Sequence, residues 1–241
     1  MPEQLKTILN KIVDWWKKFN TKQRVLLGSV VAVIIIALVY MFRSGSTYTH
    51  VLMLAFLAAE MVHSAGYLLE LLSKTKDEAM HAICVEYLGS GIVTILFMMF
   101  VCNYCGVKAN IWLERFLLIC GCLSVTLVWT NPYHNLYYPE IDFVETGLMP
   151  HVVLTHGVGF YFFIVTCTVI PWAVSEVVVF RSLIKEKNVK RRRKLLFIIC
   201  GTTFAITTLI LYVLGVFPEG YDPTPLCLSF LFPILVIFVW N

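Results

Sequence analysis

The sequence predicts an all-α, polytopic membrane helix bundle with seven transmembrane helices and an N-terminal interfacial amphipathic helix. Of its 241 residues, 59% are hydrophobic and only 14% are charged, which is not the composition of a soluble globular protein. Several nearly uncharged runs of about 20 residues match the roughly 30 Å hydrocarbon core of a bilayer. These runs are continuously apolar rather than alternating, and that pattern favours helices over the strands of a membrane barrel.

Residues 1–24 form the first predicted unit, a basic amphipathic helix that lies on the membrane surface. Six Lys or Arg residues oppose two acidic residues there. The apolar residues recur at helical spacing, at Leu5, Ile8, Leu9, Ile12, Trp16 and Phe19. Residues 25–42 follow as the first transmembrane helix, and no small-residue cleavage site after them marks a removable signal peptide.

Residues 43–241 contain the other six predicted transmembrane helices. These helices are expected at about residues 51–73, 84–102, 112–129, 152–180, 195–216 and 224–240. The connections between them are short, except for residues 130–151, which carry a cluster of aromatic side chains.

The charge of the connections predicts the orientation of the bundle. Residues 181–194 hold eight Lys or Arg residues against one acidic residue, Glu186. Short basic loops between apolar spans stay in the cytoplasm, so we expect this loop and the C-terminus inside. Residues 130–151 and 217–224 carry acidic residues and no Lys or Arg, so we expect both connections outside.

Glu60 and His63 are the first candidate site residues, because they lie three residues apart and therefore on one face of a predicted transmembrane helix. Ionisable groups in lipid are costly and tend to face the bundle interior. Tyr67 and Glu70 add to the polar content of the same helix. The pair either contacts a ligand or senses a proton, or it is a structural pair whose members satisfy each other or backbone carbonyls.

Histidines near the predicted outer face are the second group of candidates. They accompany several carboxylates, and the group comprises His134, His151, His156, Glu140, Asp142 and Glu145. Such residues can bind a divalent metal, but His151 and His156 are five residues apart, which is not the spacing of a helical metal pair. The pattern favours hydrogen bonds that cap a pocket, and no metal or cofactor is predicted. Cys102 and Cys105 form a lone CxxC, which is weak support for metal or redox chemistry.

Three stretches near the N-terminus, PEQLK at residues 2–6, WWKKF at residues 15–19 and KQRVLLGSVV at residues 22–31, carry a resemblance to the leader and first membrane helix of the flagellar M-ring protein. The large ring-forming domains that follow in that family have no counterpart here, so no ring-building function is carried over. The basic leader favours the inside, whereas seven spans put the N-terminus outside. A junction of two unrelated segments, after residue 42, would explain this conflict.

A second resemblance is carried by an ordered set of stretches from about residue 50 onward. They are AGYLLELLS (65–73), EYLG (86–89), TNPYHNLYY (130–138), HGVGFYF (156–162), RRRKLL (191–196) and LGVFPEGYDPTP (214–225). Together they resemble the N-terminal seven-helix sensor region of membrane histidine kinases and some diguanylate cyclases. The resemblance implies a bacterial inner (plasma) membrane protein, a possible homodimer, and access for an extracytoplasmic small ligand near Asn131, His134 and His156.

Function follows from these features as an expectation. We expect a non-catalytic sensory or ligand-binding module for signal transduction, which lacks its kinase or cyclase output domain and acts through a missing domain or a cytoplasmic partner. The usual phosphate-binding and hydrolase motifs are absent from the sequence. The basic clusters suit membrane lipid rather than nucleic acid. The alternatives are a small proton-coupled transporter or permease subunit that uses Glu60 and His63, and an inert membrane anchor.

Overall fold

The computed structural model describes residues 47–144, 151–217, 222–228 and 231. In chain order its elements are α1 (Tyr48–Leu72), α2 (Lys76–Tyr104), α3 (Ile111–Trp129), α4 (Asn131–His134), β1 (Ile141–Val144), β2 (His151–Leu154), α5 (Val158–Phe163), a π-helical segment (Ile164–Val169), α6 (Ile170–Lys185) and α7 (Val189–Val213). The all-α polytopic bundle is thereby confirmed.

Five described helical stretches are long and apolar enough to cross a membrane. They are α1, α2, α3, the continuous stretch Val158–Lys185 and α7. The predicted helices at residues 1–24 and 25–42, and most of the one at residues 224–240, lie outside the described residues. The count of seven transmembrane helices therefore stays a prediction.

Side-chain caps begin the long helices where a Thr or Asn separates a loop from an apolar run. The hydroxyl oxygen of Thr75 accepts from the amide of Glu78 at 3.2 Å, at the start of α2. The amide oxygen of Asn110 accepts from the amide of Trp112 at 2.9 Å, and Asn188 caps α7 in the same way. Each cap contributes about 1 kcal/mol and helps to define the point at which the chain re-enters the bundle.

Glycines allow α1 and α2 to pack with their backbones in contact. A Cβ atom at Gly66 would lie 2.3 Å from the Cα of Glu86, and one at Gly89 would lie 2.2 Å from the carbonyl oxygen of Ala59. Small residues at helix crossings permit this approach in membranes, where the association of helices depends on close packing. The contact brings Glu86 beside His63, and the candidate site depends on that proximity.

A small antiparallel hairpin follows α4. Strand β1 pairs with β2 in a register that sets Ile141 opposite Leu154 and Val144 opposite His151. The predicted start of the fifth transmembrane helix at Val152 is therefore wrong, because that residue belongs to β2 and the helix begins at Val158. The apolar side chains of β2 extend the hydrophobic run, and a short apolar run does not by itself distinguish strand from helix.

The π-helical segment precedes Pro171, which stands at the beginning of α6. In an α-helix the carbonyl of Cys167 would accept from the amide of residue 171, but proline has no amide hydrogen. The hydroxyl of Thr94 on α2 donates to that carbonyl instead. The widened turn therefore connects the continuous helical stretch Val158–Lys185 to α2 near its middle. Single π-helical turns are frequent at positions with a specific function or contact.

The basic stretch lies at the opposite end of the bundle from the hairpin. Only residues 186–188 separate α6 from α7, so the predicted loop at residues 181–194 is largely made of helix ends. The guanidinium of Arg191 pairs with Glu186 at 3.2 Å and donates to the carbonyl of Tyr104, at the end of α2, at 3.4 Å. Helical geometry continues through the charged residues because long basic side chains are good helix formers and reach water from helix ends.

Candidate functional site

A cavity of about 250 Å³ lies at the hairpin end of the bundle. Residues of α1, α2, β2, α5 and α7 line it, together with Asp222. These elements come from distant parts of the sequence. The close packing of α1 on α2 forms one side of the cavity. We refer to it as the acidic cavity, because three carboxyl groups face it, those of Glu70, Glu86 and Asp222.

The three carboxyl groups are close enough to interact. Glu70 and Glu86 lie within hydrogen-bonding reach of each other across the contact between α1 and α2. Burial raises the pKa of Asp222 from 3.8 to about 6, hydrogen bonds from Thr224 oppose this shift, and the charge of Glu86 adds to it. The cavity therefore concentrates negative charge or shared protons, since neighbouring carboxylates disfavour each other's ionisation.

His63 connects the acidic cavity to the interior of the bundle. Its Nε2 lies 3.4 Å from a carboxylate oxygen of Glu86, and its Nδ1 lies 3.3 Å from a carboxylate oxygen of Glu60. The hydroxyl of Ser64 donates to the other oxygen of Glu60 at 2.8 Å. The side chains of His63 and Glu60 are 8% and 2% exposed, so a buried polar chain links α1 to α2.

Aromatic side chains form much of the remaining wall. The hydroxyl groups of Tyr87 and Tyr138 lie 2.9 Å apart and share a hydrogen bond. The ring of His156 stacks on Phe160 with a centroid separation of 3.8 Å, and it meets the edge of Tyr212 at 6.4 Å. Burial raises the pKa of Tyr138 and lowers the pKa of His156, so both groups favour their neutral forms near pH 7.

Asn131 positions the aromatic turn that carries Tyr138. Its side-chain oxygen accepts from the amides of Tyr137 and Tyr138, both at 3.0 Å, and its side-chain nitrogen donates to the carbonyl of Tyr138 at 3.0 Å. Asn131 is 1% exposed and does not line the cavity. His134 also acts within this turn, since its Nδ1 accepts from the amide of Leu136 at 2.9 Å.

Replacement of Asn131 by alanine is expected to destabilise the protein by about 2 kcal/mol, because two buried amides lose their acceptor and a carbonyl loses a donor. Thermal unfolding of the detergent-solubilised protein measures the effect. The control is Tyr133→Ala, which alters a 90% exposed side chain of the same turn. Equal unfolding midpoints for the two variants would show that the Asn131 hydrogen bonds contribute no stability.

Two smaller cavities continue from the acidic cavity toward the interior. The first, of about 80 Å³, shares Glu86, Tyr87 and Asp222 with it and is also lined by His63 and Ser90. The hydroxyl of Ser90 has no hydrogen-bond partner among the residues that the structure describes, although Ser90 is only 8% exposed. The second, of about 60 Å³, is almost entirely apolar. Polar character therefore decreases with depth.

The structure brings some of the predicted site residues together and separates others. Tyr67 and His156 line the acidic cavity, His63 lines the cavity beneath it, and Glu60 is connected through His63. Asn131 and His134 support the neighbouring turn. Their assignment as ligand-binding residues stays a prediction.

Several residues of the cavity were not among the predicted site residues. They are Glu70, Glu86, Tyr87, Tyr138, Tyr212 and Asp222. A signal existed for Glu86, because a carboxylate inside a membrane helix is a functional candidate by default. Asp222 precedes a helix start, where its carboxylate accepts from the amide of Thr224 at 2.8 Å, and such a capping pattern gives no signal of a binding role.

The described lining of the cavity carries neither a Lys or Arg side chain nor a metal-binding cluster. Among its described lining residues there is no Lys or Arg. Within the described ranges no group of three His, Cys, Asp or Glu side chains is arranged to hold a metal ion. His151 begins β2 and does not line the cavity, although the next three residues of that strand do.

Comparison with known proteins identifies the family. A family model described as the N-terminal 7TM region of histidine kinase matches residues 25–241. No curated protein and no solved structure matches the chain. The match includes the predicted first transmembrane helix at residues 25–42, and no comparison supports the flagellar M-ring resemblance. The chain therefore belongs to the family of N-terminal 7TM regions of histidine kinases, and it is a sensory transmembrane module.

Proposed function

We propose that the acidic cavity receives the stimulus of this sensory module by binding a small ligand from outside the cell. The observation that carries the proposal is the convergence of α1, α2, the hairpin and α7 on one polar cavity at one end of the bundle. Ligand pockets are typically concave and combine apolar walls with a few convergent polar groups. A ligand bound there contacts helices and a strand that come from several separate parts of the chain.

Charge distribution supports an outward-facing cavity. The basic residues of the 181–194 stretch lie at the end of α2 occupied by Tyr104, whereas the acidic cavity lies near the start of α2. Short basic connections are retained in the cytoplasm, and this rule favours an outside location for the hairpin end. The proposed location is the inner (plasma) membrane of a bacterium, with the basic end in the cytoplasm.

Helix α7 supports a route from the cavity to the cytoplasmic side. Tyr212 lines the cavity, Thr202 near the middle donates to Glu176 of α6, and Arg191 pairs with Glu186 at the basic end. If α7 can occupy two positions in the bundle, a ligand that binds more tightly to one of these conformations shifts the population toward it. The resulting displacement of α7 at the basic end would be transmitted to an output domain or to a separate cytoplasmic partner.

Lipid and partner contacts complete the proposal. The exposed large apolar side chains on α3 and α6 include Phe116, Ile119 and Phe180, and these suit the hydrocarbon of a bilayer. A homodimer follows from the family resemblance, and catalysis is assigned to the output domain or partner rather than to this chain.

Replacement of Glu86 by glutamine is expected to weaken ligand binding at least tenfold, because a charged hydrogen-bonding partner is lost while side-chain volume is kept. The full chain, reconstituted in lipid nanodiscs, would be screened by thermal shift against sugars, amino acids, carboxylates and amines, first as wild type and then as Glu86→Gln. The matched control is Glu140→Gln, which alters an exposed carboxylate in the connection to β1.

Two results would contradict the proposal. One is a wild-type protein that no compound stabilises, and the other is a response that Glu86→Gln and Glu140→Gln alter equally. Proteoliposomes test the transporter alternative. Accumulation of a stabilising compound driven by a pH gradient, lost in His63→Ala, would assign transport to the Glu60–His63–Glu86 chain instead.

A further inference from the structure

We propose that the ligand of the acidic cavity is a small organic cation with an alkylammonium group. This inference rests on the proposed function of the same cavity. It concerns the chemical class of the ligand, which neither the family match nor the fold assigns.

Carboxyl groups dominate the charge of the described cavity lining. Glu70, Glu86 and Asp222 converge from three different parts of the chain, and the described lining contains no Lys or Arg. His63 contacts Glu86, and it is already shared between Glu86 and Glu60. Carboxyl groups held this close require a shared proton or a cation, since two neighbouring carboxylates are not both stably ionised without one.

Aromatic side chains form a large part of the cavity wall. Tyr67, Tyr87, Tyr138, Tyr212 and Phe160 all line the acidic cavity. Ammonium groups bind the faces of aromatic rings, and partial removal of water strengthens this attraction. Carboxylates combined with several aromatic rings form a surface that favours an organic cation over a sugar or an anion, because an anion would be repelled by the carboxylates.

An unused hydroxyl group supports a ligand that extends inward. Ser90 is only 8% exposed and lines the small cavity beneath Glu86, and within the described part of the chain its hydroxyl has no partner. A buried hydroxyl without a partner carries a free-energy cost that a polar ligand atom or water would remove. The position is adjacent to the acidic cavity, because the two cavities share Glu86, Tyr87 and Asp222.

Volume separates an organic cation from a metal ion. The acidic cavity measures about 250 Å³. At roughly 30 Å³ per water, this volume corresponds to a polyatomic ligand rather than to a single ion. The described residues also contain no arrangement suited to a metal ion.

The titration of Asp222 gives an independent prediction. Its pKa of about 6 means that the carboxyl group becomes protonated between pH 7 and pH 5. Among the described residues, the titratable groups that interact with it are His63, Glu70, Glu86, Tyr67, Tyr87 and Tyr212. We expect affinity for an alkylammonium compound to fall over this pH interval, whereas affinity for a neutral compound would not follow it.

The experiment uses the full chain in nanodiscs of phosphatidylglycerol, with thermal shift and equilibrium binding as readouts. The probes are choline, ethanolamine and phenylethylamine. The matched neutral probe is 3,3-dimethylbutanol, which replaces the nitrogen of choline with carbon. We expect saturable stabilisation by at least one amine and none by the neutral isostere at equal concentration.

Variants test where the amine binds. Glu86→Gln should lower amine affinity at least tenfold, and Glu140→Gln should leave it unchanged. Tyr212→Phe should retain affinity because the ring face remains, whereas Tyr212→Leu should lose it. Equal loss in both Tyr212 variants would exclude a role for the ring, and unchanged affinity in Glu86→Gln would overturn the proposed site.

Lipid composition distinguishes a soluble amine from an aminolipid headgroup. Nanodiscs that also contain phosphatidylethanolamine would raise the unfolding midpoint and weaken soluble-amine binding if the headgroup is the natural source. No response to any amine, with or without this lipid, overturns the inference. If a neutral or anionic compound binds instead and Glu86→Gln abolishes its binding, the cavity remains a ligand site and only the proposed ligand class is wrong.

Discussion

Replacement of Gly66 by valine should separate α1 from α2 and lower the free energy of unfolding by about 3 kcal/mol or more. A Cβ atom at this position would lie 2.3 Å from both the Cα and the amide nitrogen of Glu86. Overpacking typically costs about 1 to 3 kcal/mol, and the upper end applies because backbone atoms cannot rotate away as a side chain can. The displacement would also move Glu86 away from His63 and so disrupt the candidate site.

The adjacent residue provides the matched control. Ala65 is exposed on the same helix, so Ala65→Val adds bulk one position away without meeting α2. Thermal unfolding in detergent and ligand binding in nanodiscs should both be impaired in Gly66→Val and close to wild type in Ala65→Val. Similar midpoints for the two variants would mean that the backbone contact between α1 and α2 is not required for stability.

Replacement of Asp222 by asparagine should stabilise the protein at pH 7.5 by about 1 to 3 kcal/mol. Burial raises the pKa of this carboxyl group from 3.8 to about 6, which means that the folded protein disfavours its charged form. Asparagine removes the charge and keeps an oxygen that can accept from the amide of Thr224.

The sign of the pH dependence follows from the raised pKa. Above about pH 6 the carboxylate is charged in both the folded and unfolded states, so the full free-energy cost of burying that charge lowers the stability of the folded protein. As the pH falls from about 6 toward 3.8 the cost disappears, so this group makes the wild-type protein relatively more stable in acid. Asp222→Asn should lack this component, whereas Asp142→Asn, at an exposed position of β1, should keep it.

Unfolding midpoints measured from pH 5 to pH 8 test this prediction. The difference between wild type and Asp222→Asn should be largest above pH 7 and should shrink below pH 6. A constant difference across the range would show that Asp222 does not titrate with a raised pKa. An amine ligand should have a greater affinity for wild type than for Asp222→Asn above pH 7, which links this measurement to the class of ligand proposed.

The fold was largely predictable from the lengths of the apolar runs. The described helices α1, α3 and α7 fall close to the predicted spans, because hydrophobic length and charged ends are local properties of the chain. The hairpin and the π-helical segment were not predicted. The hairpin depends on pairing between residues 141–144 and 151–154, and the π-helical segment depends on a contact between Thr94 and the carbonyl of Cys167.

The candidate site was predictable only in part. Polar side chains in or beside apolar spans are unusual, and this signal points to His63, Tyr67 and His156, each of which lines one of the two connected cavities. Asn131 was chosen on the resemblance to the kinase sensor regions, and its three hydrogen bonds hold the turn beside the cavity. No local pattern connects Asp222 to these residues, since their proximity depends on how the helices pack.

The sequence by itself determined the class of protein and the difference in charge between the two ends of the bundle. Composition, the length of apolar runs and clusters of Lys and Arg are local properties whose effects add. Only the tertiary structure decided which ionisable groups share a cavity. Glycine-mediated contact between α1 and α2 brings Glu70 to Glu86, and the turn held by Asn131 adds the aromatic wall. Interactions between groups so distant in sequence depend on backbone approach, which neither hydropathy nor charge encodes.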